Sequence, residues 1–173
     1  MSGEGEGSKL QEGALNKNFR LYEACGFKIS EFVTEPESQE YSACRFRVDN
    51  FQIVCRTAKI TPKKTGQFVT FWKRSGKGPI EPFYENDEFD FFIVNVCSGI
   101  QTAQFVFPKS VLIGKGIIST EKKEGKRAFR VYPPWDKSGS KQAEISQKWQ
   151  SDYFHEAGDS ANLKQIKGLF ALP

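Results

Sequence analysis

The sequence predicts an α+β or α/β fold in which a central mixed β-sheet is flanked by helices, and three observations predict it. Apolar and polar residues alternate at period two across residues 44–56, on both sides of an Asp49-Asn50 turn signal, the mark of a half-buried β-hairpin. The run from Phe89 to Cys97, broken only by Asp90 and Asn95, is apolar enough for a strand buried on both faces. Apolar residues at helical spacing lie near both ends of the chain, at Leu15, Phe19 and Tyr22 and again at Ile145, Trp149 and Tyr153. Strands and helices within 173 residues fit one layered domain with a hydrophobic core.

The elements follow in order. Residues 1–8, mostly Gly, Glu and Ser, are expected to be a disordered tail, leaving 9–173 as a single domain. The Leu15–Tyr22 helix stops at Gly26, and Glu35-Pro36 marks a loop before the first strand. Cys44, Phe46 and Val48 form the inward row of one hairpin strand, and Phe51, Ile53 and Cys55 that of the other. Thr61-Pro62 to Gly66 is a basic loop, and Gln67 to Trp72 is a short strand or helix. After a Gly/Pro-rich loop (Gly76 to Pro82), the Phe89–Cys97 strand turns at Ser98-Gly99 onto Gln104–Phe107, which Pro108 ends. Ser110–Ile113 fits a short helix or a further strand. The last strand, Phe129–Tyr132, is closed by Pro133-Pro134; its parity points Phe129 and Val131 inward and groups Ala128, Arg130 and Tyr132 outside. Ser140 is an N-cap, with Glu144 in the first turn, for a helix running to about His155. A short helix near Ser160–Lys167 closes the chain.

Charge is segregated along this framework. The net charge is +4, but residues 51–80 carry seven Lys/Arg and no acid, residues 81–100 five acids and no base, and residues 101–150 ten bases against four acids. Phe68, Phe71 and Trp72 are interleaved with the first basic block, which makes it a folded surface rather than a solvated run. Two basic blocks on one face imply a polyanionic partner, and nucleic acid is the usual one. The expected phosphate contacts are Arg56, Lys59, Lys63, Lys64, Gln67, Lys73, Arg74, Lys126, Arg127 and Arg130. Trp135, on the rigid Pro133-Pro134 segment, either stacks on an unpaired base or packs under the last helix. The competing reading of the charges is ordinary solubilising surface.

Other chemistries are disfavoured. Cys25, Cys44, Cys55 and Cys97 show no CxxC spacing, and the chain has one histidine, so a zinc site is not expected; small core residues in a reducing compartment is the simpler account. No signal peptide and no membrane-length apolar run are apparent, and the expectation is a cytoplasmic protein without a membrane partner. Gly66 would let backbone N–H groups approach a phosphate, but GxxxxGK[ST] is absent. His155 is expected at the surface near a helix end, and the Glu81–Asp90 stretch as a solvated acidic loop.

A metal-dependent nuclease needs an acid and a lysine at i and i+2 on one strand, where both side chains share a face and the carboxylate holds Mg²⁺. Here the positions are Val54 and Arg56, or Thr57 and Lys59; the base is kept and the acid is missing. The order of a basic strand end, Asp-Phe-Phe-Ile-Val from Asp90, and Gln-Phe-Val-Phe-Pro from Gln104 nevertheless resembles the restriction-endonuclease-like (PD-(D/E)xK) fold over residues 41–110.

A resemblance along nearly the whole chain rests on many specific runs in order. They include Ala58-Lys59-Ile60-Thr61-Pro62, Gly66-Gln67-Phe68-Val69-Thr70, Trp72-Lys73-Arg74, Gln104-Phe105-Val106-Phe107-Pro108-Lys109, and Arg130-Val131-Tyr132-Pro133-Pro134-Trp135-Asp136. These are similar to the MepB family of bacterial proteins. The resemblance implies a restriction-endonuclease-like fold and nucleic-acid binding, and it brings no established reaction. The leading expectation is therefore a nucleic-acid-binding protein, DNA first, on a degenerate nuclease fold, with no cofactor. One alternative is a divergent Mg²⁺-dependent nuclease drawing its acids from Asp90, Asp49, Glu40 or Glu37, with Arg56 or Lys59 as the base. The other is an interaction protein that binds an acidic partner.

Overall fold

The computed structural model describes residues 17–158 and 160–172. The tail expected at residues 1–8 and Leu15 of the first helix lie outside the described residues. A six-stranded mixed sheet forms the centre, in the order β1 (Ile29–Thr34), β2 (Cys44–Val48), β3 (Phe51–Thr57), β8 (Phe91–Ser98), β9 (Gln101–Pro108) and β11 (Phe154–Glu156). Only β3 and β8 run parallel; the other pairs are antiparallel. A three-stranded sheet joins β10 (Ala128–Val131), β5 (Gln67–Thr70) and β4 (Lys59–Ile60), and β6 (Trp72–Arg74) pairs with β7 (Ile80–Pro82). The helices are α1 (17–24), α2 (Lys109–Gly114), α3 (Lys141–Gln150) and α4 (Leu163–Phe170). No helix of the described residues is long and apolar enough to cross a membrane. The central mixed sheet flanked by helices is the architecture the sequence predicts.

The central sheet is buried on both faces because its inner strands are apolar at most positions. In β8, Phe91 and Ile93 point to one side and Phe92 and Val94 to the other, all without exposure. Tyr22 of α1 and Ile166, Leu169 and Phe170 of α4 cover the first side. The small sheet and α2 cover the second, through Phe71, Phe129, Val131 and Leu112. Phe71 stacks between Phe83 and Phe92 at centroid distances of 4.5 and 4.2 Å. The Asp49-Asn50 hairpin forms with the expected register, Cys44 opposite Cys55 and Phe46 opposite Ile53. Asp49 takes the left-handed conformation such a turn requires (φ 52°).

Several elements depart from the sequence reading. The first strand is β1, which ends ten residues before Cys44; it is an exposed edge with Phe32 and Val33 facing solvent and a bulge between Ser30 and Val33, so it lacks alternation. Gln67–Trp72 is two strands that Phe71 separates, and Ser110–Ile113 belongs to a helix. The strand expected to be last, Phe129–Tyr132, is β10; it pairs with β5 in the small sheet, and β11 follows it. Ser140 caps α3 as expected, its side chain accepting the Ala143 N–H at 3.2 Å. The helix ends at Gln150, however, and a short turn leads into β11, where His155 is a fully buried strand residue rather than a surface one. Ile145 is exposed, and so is Cys97, while the other three cysteines are buried.

Candidate nucleic-acid interface

The structure sorts the expected basic contacts by the strand that carries each. Arg56 lies on β3, between β2 and β8, and has no exposure. A guanidinium in that position requires a counter-charge. Glu35 supplies it: Arg56 Nη2 donates to Oε2 at 2.8 Å, and Arg45 Nε donates to the other oxygen at 2.6 Å. Burial lowers the Arg56 pKa, and Glu35 opposes the shift. Arg56 is therefore a structural ion pair and not a phosphate contact. Gln67 is corrected likewise: 1% exposed, it donates to the Cys97 carbonyl at 2.9 Å and ties the small sheet to the central one. Gly66 is buried under Tyr132; a Cβ there would meet the ring at 2.6 Å, and φ is 77°, so glycine is required for packing. Trp135 is half-buried, edge-on to Phe154 at 5.9 Å and packed on the core. The contact to Phe154 places the ring against β11.

Four of the expected phosphate contacts are cations paired at the surface. Lys73 meets Asp87 at 2.7 Å, Arg74 meets Glu37 at 3.3 Å, Arg127 meets Glu124 at 3.0 Å, and Lys59 is 3.8 Å from Glu40. Asp87 also accepts the Tyr84 N–H at 2.7 Å, so the acidic stretch is partly a built turn rather than a solvated loop. Lys63, Lys64, Lys126 and Arg130 have no carboxylate within ion-pair distance among the described residues.

The pairing of β10 with β5 brings the two basic blocks together. Phe68 stands directly between Lys59 on β4 and Arg130 on β10 in the sheet register. The Arg130 guanidinium lies 6.0 Å from the Phe68 ring centroid, Tyr41 meets Phe68 edge-on at 6.2 Å, and the Lys59 ammonium is 4.7 Å from the Tyr41 ring. Arg130 is held by neutral oxygens only, the Thr65 carbonyl at 3.1 Å and Thr61 Oγ1 at 2.5 Å among them. The result is an outward row of two cations and two aromatic rings, beside the exposed Lys63 and Lys64. Such a row suits a polyanion whose charges alternate with flat bases.

The acids needed for a nuclease do not converge. Asp90 Oδ2 accepts the Gln52 N–H at 2.7 Å at the start of β3, four residues from Arg56 and thus about 13 Å along the strand. Asp49 sits in the hairpin turn and accepts the Lys28 N–H at 2.7 Å. Glu40 is exposed and Glu37 is engaged by Arg74. Among the described residues no three His, Cys, Asp or Glu side chains are grouped to hold a metal ion.

Comparison with known proteins adds the following. A profile of the MepB-like family matches residues 35–156. A solved structure described as the crystal structure of MepB is 34% identical to this chain, covers 76% of it and 88% of its own length, and superposes with a TM-score of 0.73. The chain belongs to the MepB-like family. A second solved structure, a bacterial homing endonuclease, shares 14% identity over 80% of this chain and 86% of its own, with a TM-score of 0.45. No curated protein matches. The MepB-like match begins at Glu35 and ends at Glu156, so it spans the Glu35–Arg56 pair, the small sheet and β11, and leaves α1 and α4 outside.

Within that span the structure shows a polar row that sequence reasoning missed. Thr57, Asn95, Gln104 and His155 stand opposite one another across β3, β8, β9 and β11. Asn95 Oδ1 accepts from Gln104 at 2.6 Å and from Asn18 at 3.1 Å, and the Tyr22 hydroxyl donates to Gln104. His155 Nδ1 faces the Glu156 carbonyl at 3.0 Å, its Nε2 has no partner among the described residues, and burial lowers its pKa. The residues come from separate strands at single positions, so no local motif announces them. The one available signal was that the single histidine sits one residue from an aromatic in a short alternating stretch.

Proposed function

We propose that this protein binds nucleic acid, with DNA the first ligand to test, on the outward face of β4, β5 and β10, and does not cut it. The observation that carries the reading is the Lys59–Phe68–Arg130 row, in which two distant basic segments flank one half-exposed ring. Lys63, Lys64 and Lys126 extend the cationic surface as phosphate contacts; Lys73, Arg74 and Arg127 are outer contacts whose carboxylate partners must first yield. Asp90 and Asp49 are occupied by backbone N–H groups, which supports binding over metal-assisted cleavage. The test is an anisotropy titration against single- and double-stranded DNA and RNA at two salt concentrations, with and without Mg²⁺. Affinity that falls steeply with salt, substrate intact, is the expected outcome. Salt-independent binding would favour an acidic protein partner, and shortened substrate would restore the nuclease reading.

A further inference from the structure

A cavity of about 280 Å³ opens between β10 and α3. Lys115, Lys126 and Arg130 line it, and no acidic side chain does. None of the three has a carboxylate within ion-pair distance among the described residues. Like charges round one opening repel each other, and an anion entering it relieves that repulsion. Ser140, Gln142 and Ser146 line the same cavity with neutral hydrogen-bonding groups, and Phe129 and Trp149 give it an apolar floor. The Lys115 ammonium is held 5.3 Å from the Trp149 ring centroid, so one cation is already placed.

The cavity is preformed. Gln150 clamps α3 to β10 by accepting the Tyr132 N–H at 2.8 Å and donating to the Arg130 carbonyl at 3.0 Å. A site whose walls are fixed before binding loses little to ordering. Its volume lies at the lower limit of small-ligand sites, with room for one phosphate-bearing nucleotide and none for a duplex. Arg130 belongs both to this cavity and to the row beside Phe68, so a strand lying along that row reaches the cavity at its end.

We propose that this cavity takes the terminal phosphomonoester of a nucleic-acid strand, so that the protein prefers phosphorylated ends; the inference rests on the nucleic-acid reading above. A terminal phosphomonoester carries about −1.5 to −2 charges at neutral pH, with a second pKa of about 6, against one for each internal phosphodiester. Two lysines without carboxylate partners among the described residues, Lys115 and Lys126, select the more highly charged group, and the preference should fade as pH drops below the second phosphate pKa.

The test measures anisotropy of one single-stranded sequence made with a 5′-phosphate, a 3′-phosphate or two hydroxyl ends, with a nucleoside monophosphate as competitor. One phosphorylated end should bind about tenfold tighter than the hydroxyl-ended strand, as charge-assisted hydrogen bonds provide. Lys115→Gln and Lys126→Gln should each shrink that ratio, while Lys164→Gln, on α4, keeps it. Tight binding of all three strands with equal affinity would overturn the end preference and leave the nucleic-acid reading standing. Binding of the nucleoside monophosphate alone, with no oligonucleotide bound, would overturn both, as would the absence of any binding.

Discussion

Arg56 and Arg130 are the same residue type on strands of one domain, and the structure places them in opposite environments. Arg56 is on an inner strand of the central sheet, covered on both faces, and has no exposure. It is held by a carboxylate that a second arginine shares. Arg130 is on an edge strand of the small sheet, half-exposed, and is held by neutral oxygens. A buried cation must bring its counter-charge with it; a half-solvated one needs none. Whether a basic residue is buried in an ion pair or left without a carboxylate partner thus follows from the position of its strand in the sheet, not from the local sequence.

The sharpest break of this comparison is Glu35→Ala, which leaves Arg56 buried without its partner. The expected loss is about 3 kcal/mol of stability, read by urea denaturation; a loss well under 1 kcal/mol would mean that the pair is not structural. Phe68→Ala attacks the other region. It should leave folding nearly intact and weaken single-stranded nucleic-acid binding by about 1–3 kcal/mol, with the salt slope unchanged. An unchanged affinity would remove the ring from the interface.

A smaller effect is expected at His155. Burial depresses its pKa below 6.5, so the folded state resists protonation while the unfolded state accepts it. Stability should hold above pH 6.5 and fall as pH is lowered from there toward the folded-state pKa. Comparing wild-type and His155→Gln unfolding at pH 7.5 and 5.5 checks this; equal pH dependence in both would assign the acid loss elsewhere. The finest test is Lys59→Ala, which removes one phosphate contact and should flatten the slope of log affinity against log salt by about one unit. An unchanged slope would mean that Glu40 neutralises Lys59 in the complex.

Much of the fold was legible because it is written locally. The Asp49-Asn50 turn between alternating strands, the two-sided apolar β8 and the Ser140 cap each rest on contiguous residues, and each is found in place. What was not legible lies where an element lacks a local signature. β1 is an exposed edge whose pattern does not alternate, and β11 is three residues long. The proposed interface was legible in part: the sequence named Lys59 and Arg130, but Phe68 only as one aromatic among several. It also named Arg56 and Gln67, whose burial depends on strands far away in the chain, and it missed Lys115, Tyr41 and the Glu35 counter-charge.

Sequence alone determined the layer architecture, the charge segregation and the membership of a family, because periodicity, composition and runs of identity are properties of neighbouring residues. Tertiary structure alone decided which charges are free. Arg130 meets Phe68 and Lys59 only through the pairing of β10 with β5 and of β5 with β4, and Arg56 meets Glu35 only through the path of the chain around β2. Electrostatic availability depends on burial and on the nearest opposite charge, and both are set by contacts between segments that the linear order keeps apart.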